Sequence, residues 1–434
     1  MSHAVSADAS VWRERDAELV SPAYSRYSDL VVESAEGAHL RTVDGRDILD
    51  FGSGIGVTSL GHRHPAVVAA VHEQVDRLWH VSVTALHPKM IEAAAALVSI
   101  APEGLDQVFL TNSGAEAVEG AIKLARRATG RSEIIAFTGA FHGRTYGALT
   151  LTASRAKYRE GAGPLLPGVH HVRFPYCFVF CDHEPGQRCS IAEGEDIDLL
   201  FRTAVAPDTV AAIVVEPIQG EGGFVVPPPI FLPTLRRLCD EHGILLVADE
   251  VQSGMARTGR MFAVEHTGVV PDIMCVAKAL GNGLPVAAIL AKHAVMQAWH
   301  PGEHGTTYGG NAVACAALIA VIDTMQRERL VERAARLGED VLGRARGWQQ
   351  VAPMLGDVRG RGLMVGLEFV RNGRPAADAV ARIRADALRR GLLLLSCGTA
   401  DNVIRIMPPL TIPEEELHAG LDILEAAIND EAAR

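Results

Sequence analysis

Short apolar runs bounded by turn residues mark the central part of the chain as a buried sheet. One run, Ile244 to Ala248, follows Gly243 and is too short and too rich in β-branched residues for a buried helix. Similar runs occur at Glu133 to Phe137, Ala211 to Pro217 and Asp272 to Ala277. Apolar character on both faces is typical of parallel strands. The pattern therefore predicts buried parallel strands in an open α/β sheet.

The two ends of the chain show different patterns. Residues 26–51 form short alternating runs broken at Gly37 and at the pair Asp44-Gly45, which predicts a small antiparallel meander. From about residue 327 onward, helical segments stand beside a few short strands, which predicts a small α+β lobe packed with the meander. The predicted divisions are 1–61 for the N-terminal segment of the small domain, 62–326 for the large domain, and 327–434 for the C-terminal part of the small domain.

Composition narrows the class of protein. The 434-residue chain is 48% hydrophobic with a mean hydropathy of +0.14, which suits a compact enzyme with a sizeable core. Its net charge of −11 gives no electrostatic support to nucleic-acid binding. The chain has no apolar run of about 18 residues and its N-terminus has no apolar signal core, so no membrane association is expected. We expect a cytoplasmic protein.

Seven cysteines, an odd number over a chain of this length, argue against a disulfide framework. Three of them, Cys177, Cys181 and Cys189, share the segment YCFVFCDHEPGQRCS with His183. One interpretation of this segment is a small zinc or redox site. Because the spacing is irregular and contains no C-x-x-C pair, we favour a surface insertion with ordinary cysteines and no metal.

Two of the predicted strands lead to residues with complementary chemistry, Asp249 after Ala248 and Lys278 after Ala277. The carboxyl ends of strands in an open α/β sheet face the ligand crevice, so we expect the acid and the amine in one site. Taken singly, such an Asp usually caps a turn and such a Lys is usually solvated. Together they match what pyridoxal phosphate requires, which is a carboxylate for its pyridine nitrogen and an amine that binds it covalently.

A strand, a tight turn and an Ala-rich helix follow one another in QVFLTNSGAEAVEGAIKLARRATG. Ser113, Gly114 and Ala115 occupy the turn, where unpaired N–H groups and the positive end of the helix dipole meet. Ser113 considered alone is most often only a helix cap. The turn lacks the G-x-x-x-x-G-K-[ST] pattern, so a nucleoside triphosphate is not expected. The segment predicts a phosphate cradle of another kind.

The string ADEVQSGMARTGR followed by AKALGNGLP, with Asp249 and Lys278 29 positions apart, resembles the cofactor signature of the class III aminotransferases. The resemblance extends from Gly54 to Thr411 through five strings in the expected order. It implies an α/β fold of type I pyridoxal-phosphate enzymes, with a large mostly parallel-sheet domain and a small discontinuous α+β domain. It also implies pyridoxal 5'-phosphate as the cofactor and Lys278 and Asp249 as catalytic residues. The implied cofactor-binding residues are Ser113, Gly114, Ala115, Phe141, His142, Glu216, Asp249, Gln252, Lys278 and Thr307.

The same resemblance, to the branch that includes 4-aminobutyrate aminotransferase, implies a substrate site. Arg144 would bind the distal carboxylate of the substrate, and Arg405 would bind the α-carboxylate of 2-oxoglutarate. Glu221 would pair with Arg405 through both oxygens while an ω-amino acid, which lacks an α-carboxylate, occupies the site. Ile55 would contribute to the pocket wall. Thr307 would reach the cofactor phosphate of the other subunit, which implies a homodimer or a dimer of dimers with shared active sites.

The expected function is transfer of the amino group of a 4-aminobutyrate-like ω-amino acid to 2-oxoglutarate in two half-reactions. The expected partners are a small-molecule amino donor and a 2-oxo acid acceptor, with no nucleic acid and no membrane. A pyridoxal-phosphate-dependent amino-acid racemase of the same family stays open, because it needs the same cofactor, lysine and acid. A non-catalytic cofactor-binding protein is a third alternative, disfavoured by the joint presence of Asp249, Lys278 and Arg405.

Overall fold

The computed structural model describes residues 8–181 and 188–434. The helices are α1 Ala9–Leu19, α2 Ser53–Gly56, α3 Pro65–Val75, α4 Pro88–Ile100, α5 Gly114–Thr129, α6 Tyr146–Leu151, α7 Cys177–Phe180, α8 Glu195–Thr203, α9 Phe231–His242, α10 His293–Met296, α11 Ala312–Arg327, α12 Leu330–Trp348, α13 Ala377–Arg389 and α14 Glu414–Ala432. The strands are β1 Val32–Glu36, β2 His39–Thr42, β3 Asp47–Asp50, β4 Gln107–Thr111, β5 Glu133–Phe137, β6 Val169–Val172, β7 Val210–Val215, β8 Leu245–Asp249, β9 Ile273–Val276, β10 Ala287–Ala291, β11 Leu355–Arg361, β12 Met364–Arg371, β13 Arg374–Pro375, β14 Leu392–Leu393, β15 Leu395–Cys397 and β16 Val403–Ile406. Among the described residues, no helix has both the length and the apolar composition that crossing a bilayer requires.

The large sheet has the strand order β4-β10-β9-β8-β7-β5-β6 within the described ranges. Strands β9, β8, β7, β5 and β6 run parallel to one another, and β10 is antiparallel to both β9 and β4. Strands β7, β9 and β10 are buried at every position, as a sheet covered on both faces requires. The prediction of a mostly parallel sheet is confirmed. The predicted limits shift by a residue or two, so that β8 includes Asp249 and β9 covers only Ile273–Val276.

Helix α5 begins and ends where its sequence predicts. The Oγ of Ser113 accepts the N–H of Glu116 at 3.3 Å, and Gly130 ends the helix with a left-handed φ of 70°. Its buried face consists largely of small residues such as Ala117 and Ala121, which let the helix lie close against β9 and β10. This packing fixes the N-terminus of α5 at the carboxyl edge of the sheet.

The two ends of the chain share a sheet. Strands β1, β2 and β3 form the predicted antiparallel meander, and β3 pairs in parallel with β14 through Leu49 and Leu392. A second small sheet, in the order β11-β12-β16-β15, carries Arg405 on β16. The small domain is therefore discontinuous along the chain. Its boundaries at 61/62 and 326/327 stay a prediction.

Arg257 forms hydrogen bonds between the loop after β8 and residues that are far away in the sequence. Its buried guanidinium donates hydrogen bonds to Ser59 Oγ at 3.0 Å, to the carbonyl of Leu363 at 3.0 Å and to the carbonyl of Pro408 at 2.7 Å. Burial lowers the pKa of Arg257 to about 9, since these three acceptors are neutral. The loop that follows Asp249 is thereby held against both segments of the small domain.

Candidate active site

The carboxyl ends of neighbouring parallel strands bring the predicted acid and amine together. Asp249 ends β8, Lys278 lies two residues after β9, and Glu216 comes directly after β7. These residues line a cavity of about 400 Å³. The other predicted residues that line it are Ser113, Gly114, Ala115, Phe141, His142, Arg144 and Gln252. A larger cavity of about 700 Å³, between α1 and residues 26–32, contains none of the predicted site residues.

The turn before α5 forms one end of the cavity. Ser113 Oγ binds the N–H of Glu116, and no hydrogen bond within the described residues uses the N–H of Gly114 or Ala115. A Cβ atom at Gly114 would lie 3.0 Å from Val251 Cγ1, so glycine is needed for the turn to approach the loop after β8. Available N–H groups at the positive end of a 16-residue helix suit a phosphate.

Asp249 is paired with His142 on the floor of the cavity. Its Oδ2 lies 2.7 Å from His142 Nδ1, and its Oδ1 accepts the N–H of Val251 at 3.0 Å. Burial disfavours the protonated imidazole of His142, but the hydrogen bond and the charge of Asp249 outweigh burial and raise the His142 pKa. These contacts fix the orientation of the Asp249 carboxylate.

Lys278 donates a hydrogen bond from Nζ to Gln252 Oε1 at 2.7 Å. Burial lowers the pKa of Lys278 to about 8, the positive charge of Arg405 adds to this, and the charges of Asp249 and Glu216 oppose it. The φ of Lys278 is +49°, a left-handed conformation that costs about 1–3 kcal/mol for a residue other than glycine. A lysine with this pKa supplies neutral amine near neutral pH, which nucleophilic attack and proton transfer both require.

Glu216 holds two backbone segments of the cavity. Its Oε2 accepts the N–H of Phe141 at 3.0 Å, and its Oε1 accepts the N–H of Gly220 at 3.0 Å. Burial and the nearby Asp249 carboxylate raise the pKa of Glu216 to about 7, although His142 acts in the other direction. Glu216 thus fixes the position of Phe141 and the start of the loop that carries Glu221.

Arg405 and Glu221 form a buried ion pair beside the cavity. Arg405 Nη2 donates to Glu221 Oε2 at 2.5 Å, while Nη2 and Nε also donate to the carbonyl of Ser396 at 2.8 and 3.1 Å. Glu221 contacts Arg405 through Oε2 in this structure, with Ser396 at one edge of the guanidinium, and the pairing through both oxygens while an ω-amino acid is bound stays a prediction. Arg405 Nη1 is buried and has no partner among the described residues.

Tyr158, which the sequence analysis did not identify, connects the two predicted substrate arginines. Its hydroxyl donates to Glu221 Oε1 at 3.0 Å, and Arg155 Nη2 lies 3.5 Å from the same oxygen. The guanidinium carbon of Arg144 lies 4.0 Å from the centre of the Tyr158 ring, a cation–π distance. Phe141 meets that ring edge-on at 5.7 Å. No spacing relation to the strand ends singles out Tyr158 in the sequence.

Besides Glu221 and Arg405, which lie beside the cavity, two further predicted site residues, Ile55 and Thr307, do not line it. Ile55 has a left-handed φ of 66° and is 41% exposed, and Val57 lines the cavity instead. The place of Ile55 in a pocket wall therefore stays a prediction. Thr307 is exposed on the surface, whereas its neighbour Thr306 accepts a hydrogen bond from Asn112, a cavity residue, at 3.1 Å.

Comparison with known proteins places the chain in a family. The family described as Aminotransferase class-III matches residues 20–428. The chain belongs to the class III aminotransferases. It is 43% identical to a 5-aminovalerate aminotransferase of Pseudomonas aeruginosa over 92% of this chain and 94% of that protein, and 40% identical to a 4-aminobutyrate aminotransferase of Escherichia coli over 96% and 97%. The solved structure of an (S)-enantioselective omega-transaminase from Thermomicrobium roseum matches with a TM-score of 0.90 and 30% identity over 99% of this chain and 100% of that one.

Class III aminotransferases use pyridoxal phosphate, and the cavity fits that group. The available N–H groups of Gly114 and Ala115 suit its phosphate. The oriented carboxylate of Asp249 suits its pyridine nitrogen, and the amine of Lys278 suits its aldehyde. Phe141 lies at the cavity wall, where an aromatic ring can stack on the pyridine.

Three cysteines of this class III aminotransferase come together outside the cavity. The Sγ atoms of Cys177, Cys181 and Cys189 all lie within 4.8 Å of one another, and those of Cys181 and Cys189 are 3.5 Å apart. Cys177 and Cys181 are four residues apart across the single turn α7, a spacing that places both on one side of a helical turn. That four-residue spacing is the signal that a search for C-x-x-C missed. His183 lies outside the described residues.

Proposed function

We propose that this class III aminotransferase transfers the amino group of an ω-amino acid with a terminal carboxylate, of 4-aminobutyrate or 5-aminovalerate length, to 2-oxoglutarate. The observation that carries the proposal is the buried pair of Arg405 and Glu221 at 2.5 Å, close enough for Arg405 to influence the pKa of Lys278. Both half-reactions use one site, yet 2-oxoglutarate has an α-carboxylate and the ω-amino acid has none. If Glu221 can cover the charge of Arg405 or expose it, the same site accepts the ω-amino acid and 2-oxoglutarate.

Glu221 has the contacts that it needs to cover Arg405 in one half-reaction and to release it in the other. When the donor is bound, its carboxylate covers Arg405, whose charge would otherwise face only C–H groups. When 2-oxoglutarate is bound, Glu221 can give up Arg405 and keep Tyr158 and Arg155, which already lie 3.0 and 3.5 Å from its other oxygen. Arg405 Nη1, buried without a partner among the described residues, then supplies a second donor to the α-carboxylate.

Arg144 is the residue that we assign to the distal carboxylate in both half-reactions. Its side chain is exposed and lines the cavity, and its guanidinium lies over the ring of Tyr158. Stacking restricts the guanidinium to one plane and leaves its N–H edge available to a carboxylate. Because Arg144 and Arg405 are separate side chains on either side of the Tyr158–Glu221 contact, each would bind one of the two carboxylates of 2-oxoglutarate.

The chemistry that pyridoxal phosphate supplies when bound is withdrawal of electrons from the amine-bearing carbon of the substrate. Lys278 Nζ would take the proton from that carbon and later give it back, because its pKa of about 8 leaves enough neutral amine. Gln252 positions Nζ through the 2.7 Å hydrogen bond. Asp249, oriented by His142, would keep a proton on the ring nitrogen of the cofactor. Glu216 fixes the backbone of Phe141, whose side chain would stack on that ring.

We also propose a homodimer, or a dimer of dimers, with shared sites. An apolar surface lies around the exposed Thr307, and the hydrogen bond from Asn311 Nδ2 to the carbonyl of Trp79 at 2.7 Å joins its two segments. Its most exposed side chains are Trp79 at 64%, Val83 at 76%, Leu86 at 91% and Tyr308 at 63%. A patch of this kind is typical of an interface. A second copy would cover it and receive Thr307 at its cofactor phosphate.

The test is a donor panel. The purified holoenzyme is supplied with 4-aminobutyrate, 5-aminovalerate, ornithine, lysine, a diamine and several α-amino acids, each with 2-oxoglutarate, and both glutamate formation and optical rotation are recorded. We expect glutamate from the two ω-amino acids and no racemisation. The Lys278→Ala variant serves as the inactive control. Loss of optical rotation in an α-amino acid without glutamate formation would instead identify a racemase.

A further inference from the structure

We propose that Cys177, Cys181 and Cys189 form a binding site for a thiophilic divalent cation, for which zinc is the expected occupant. Their Sγ atoms lie within 4.8 Å of one another. Zinc binds thiolate sulfur at about 2.3 Å in a tetrahedron, which places pairs of sulfurs about 3.8 Å apart. The Sγ atoms of Cys181 and Cys189 are 3.5 Å apart, so small side-chain movements place the three sulfurs at three corners of that tetrahedron.

The backbone on both sides holds the three sulfurs in place. The N–H of Cys181 binds the carbonyl of Cys177 at 3.0 Å and closes the single turn α7. Cys189 is buried, and its carbonyl accepts the N–H of Glu193 at 3.1 Å in the turn that leads to α8. The ligands therefore come from two separately supported segments, as expected of a structural metal site.

The remaining cysteines provide an internal comparison. Cys239, Cys275, Cys315 and Cys397 are also free and are buried in the protein interior. Among the described residues, none of these four joins a group of metal-ligating side chains, whereas the three in the insertion do. Ordinary cysteines behave as small apolar residues and are buried one at a time. The convergence of the three sulfurs therefore overrides the argument from irregular spacing.

The donor set determines the kind of cation. Three thiolates select zinc over magnesium or calcium, which prefer oxygen ligands. A bound zinc ion deprotonates the thiols that coordinate it, so the ion itself supplies the positive charge next to the three thiolates. The three sulfurs leave one tetrahedral position for a further ligand or water.

The ion would also fix the segment next to the substrate loop. Tyr176, which precedes Cys177, accepts a hydrogen bond from Arg359 Nη2 at 2.7 Å. The same nitrogen donates to the carbonyl of Gly223 at 2.6 Å, two residues after Glu221. A structural ion at the insertion therefore stabilises the contacts on which the Glu221 loop rests, without touching the cofactor cavity.

The first experiment measures metal in the holoenzyme, purified without a metal-affinity step and in the presence of reductant. Elemental analysis should find about one zinc per chain. The variants Cys177→Ser, Cys181→Ser and Cys189→Ser should each lose zinc at least tenfold, and Cys315→Ala, which changes a buried cysteine outside the group, should retain it. Visible absorbance of the bound cofactor checks that each variant is folded.

A second measurement needs no variant, because a serine variant that fails to fold would also lose zinc. The parent holoenzyme is grown with cobalt, and its spectrum is examined for thiolate-to-metal absorption and the visible bands of tetrahedral cobalt. Zinc added in excess should abolish these bands. A reduced parent protein that contains no zinc and takes up neither ion would overturn the proposal, as would a Cys181–Cys189 disulfide in zinc-free protein or unchanged zinc in all three serine variants.

Discussion

Tyr158 donates its phenolic hydrogen to Glu221 across 3.0 Å. Burial and the charge of Glu221 raise the pKa of Tyr158 to about 12, so the phenol remains a hydrogen-bond donor. The other oxygen of Glu221 binds Arg405, and the guanidinium of Arg144 lies over the Tyr158 ring. One aromatic residue therefore contacts Arg144 directly and is connected to Arg405 through Glu221.

Tyr158→Phe removes the hydrogen bond to Glu221 and keeps the ring beneath Arg144. We expect the half-reaction with the ω-amino acid to slow about threefold to tenfold, because Arg155 still lies near the same oxygen and only part of the about 1.5–3 kcal/mol of a hydrogen bond to a charged group is lost. The half-reaction with glutamate should change less. Stopped-flow absorbance of the cofactor measures each half-reaction separately. Tyr24→Phe, at a surface tyrosine, is the matched control, and equal slowing of both half-reactions would contradict the assigned role.

Glu221→Ala tests the covering of Arg405 directly. With an ω-amino acid bound, the guanidinium would lose its charged partner in a buried position, at a cost of about 1–3 kcal/mol. That half-reaction should slow about tenfold to a hundredfold, while the glutamate half-reaction, which exposes Arg405 in any case, should stay nearly intact.

The same stopped-flow comparison decides the outcome for Glu221. Glu241→Ala, which removes an exposed carboxylate on α9, should leave both half-reactions unchanged. In a racemase, Arg405 would be engaged with an α-carboxylate in every step, so Glu221→Ala would show no difference between donors. Failure of the parent protein to react with any ω-amino acid would also favour a racemase over an ω-aminotransferase.

The pH dependence of cofactor capture reports the pKa of Lys278. Only the neutral amine attacks the cofactor aldehyde, so the capture rate of the cofactor-free protein should fall about tenfold per unit below pH 8 and level off above it. Arg405→Met removes a positive charge that lowers this pKa, so the midpoint should move to higher pH. Capture is followed by visible absorbance, with Lys278→Ala as the blank. A midpoint near the ordinary lysine value of 10.5, or one insensitive to Arg405→Met, would disagree with the structure.

Hybrid dimers test the role of Thr307. If each site combines Lys278 of one subunit with Thr307 of the other, then Thr307→Ala should weaken cofactor retention in homodimers. Mixing it with Lys278→Ala subunits should restore one intact site per hybrid, because the Lys278 of one subunit then meets the unaltered Thr307 of the other. Cofactor retention and activity at low cofactor concentration should rise on mixing. If the mixture shows only the summed activities of the two separate variants, the shared site is excluded. A sedimentation experiment that finds an active monomer would exclude it as well.

The local sequence pattern was sufficient to predict the elements that position Asp249, Lys278 and the phosphate turn at Ser113. The runs that become β8 and β9 are buried on both faces, and this requirement is written into consecutive residues. The ends of α5 are equally local, since Ser113 caps the N–H three residues ahead and Gly130 supplies a left-handed backbone. From these elements, the shared edge of Asp249 and Lys278 follows by the geometry of parallel sheets.

Local sequence patterns did not predict the contacts between residues that are far apart in the chain. Tyr158 reaches Glu221 over 63 residues and Arg405 reaches it over 184, and no local spacing sets those distances. The same holds for the single-oxygen contact of Glu221, which depends on the Ser396 carbonyl, and for Cys189, which reaches the turn of Cys177 and Cys181 only after folding. Hydrophobic periodicity specifies which face of an element is buried, but which polar atoms then meet depends on packing between elements, and that is settled only when the whole chain has folded.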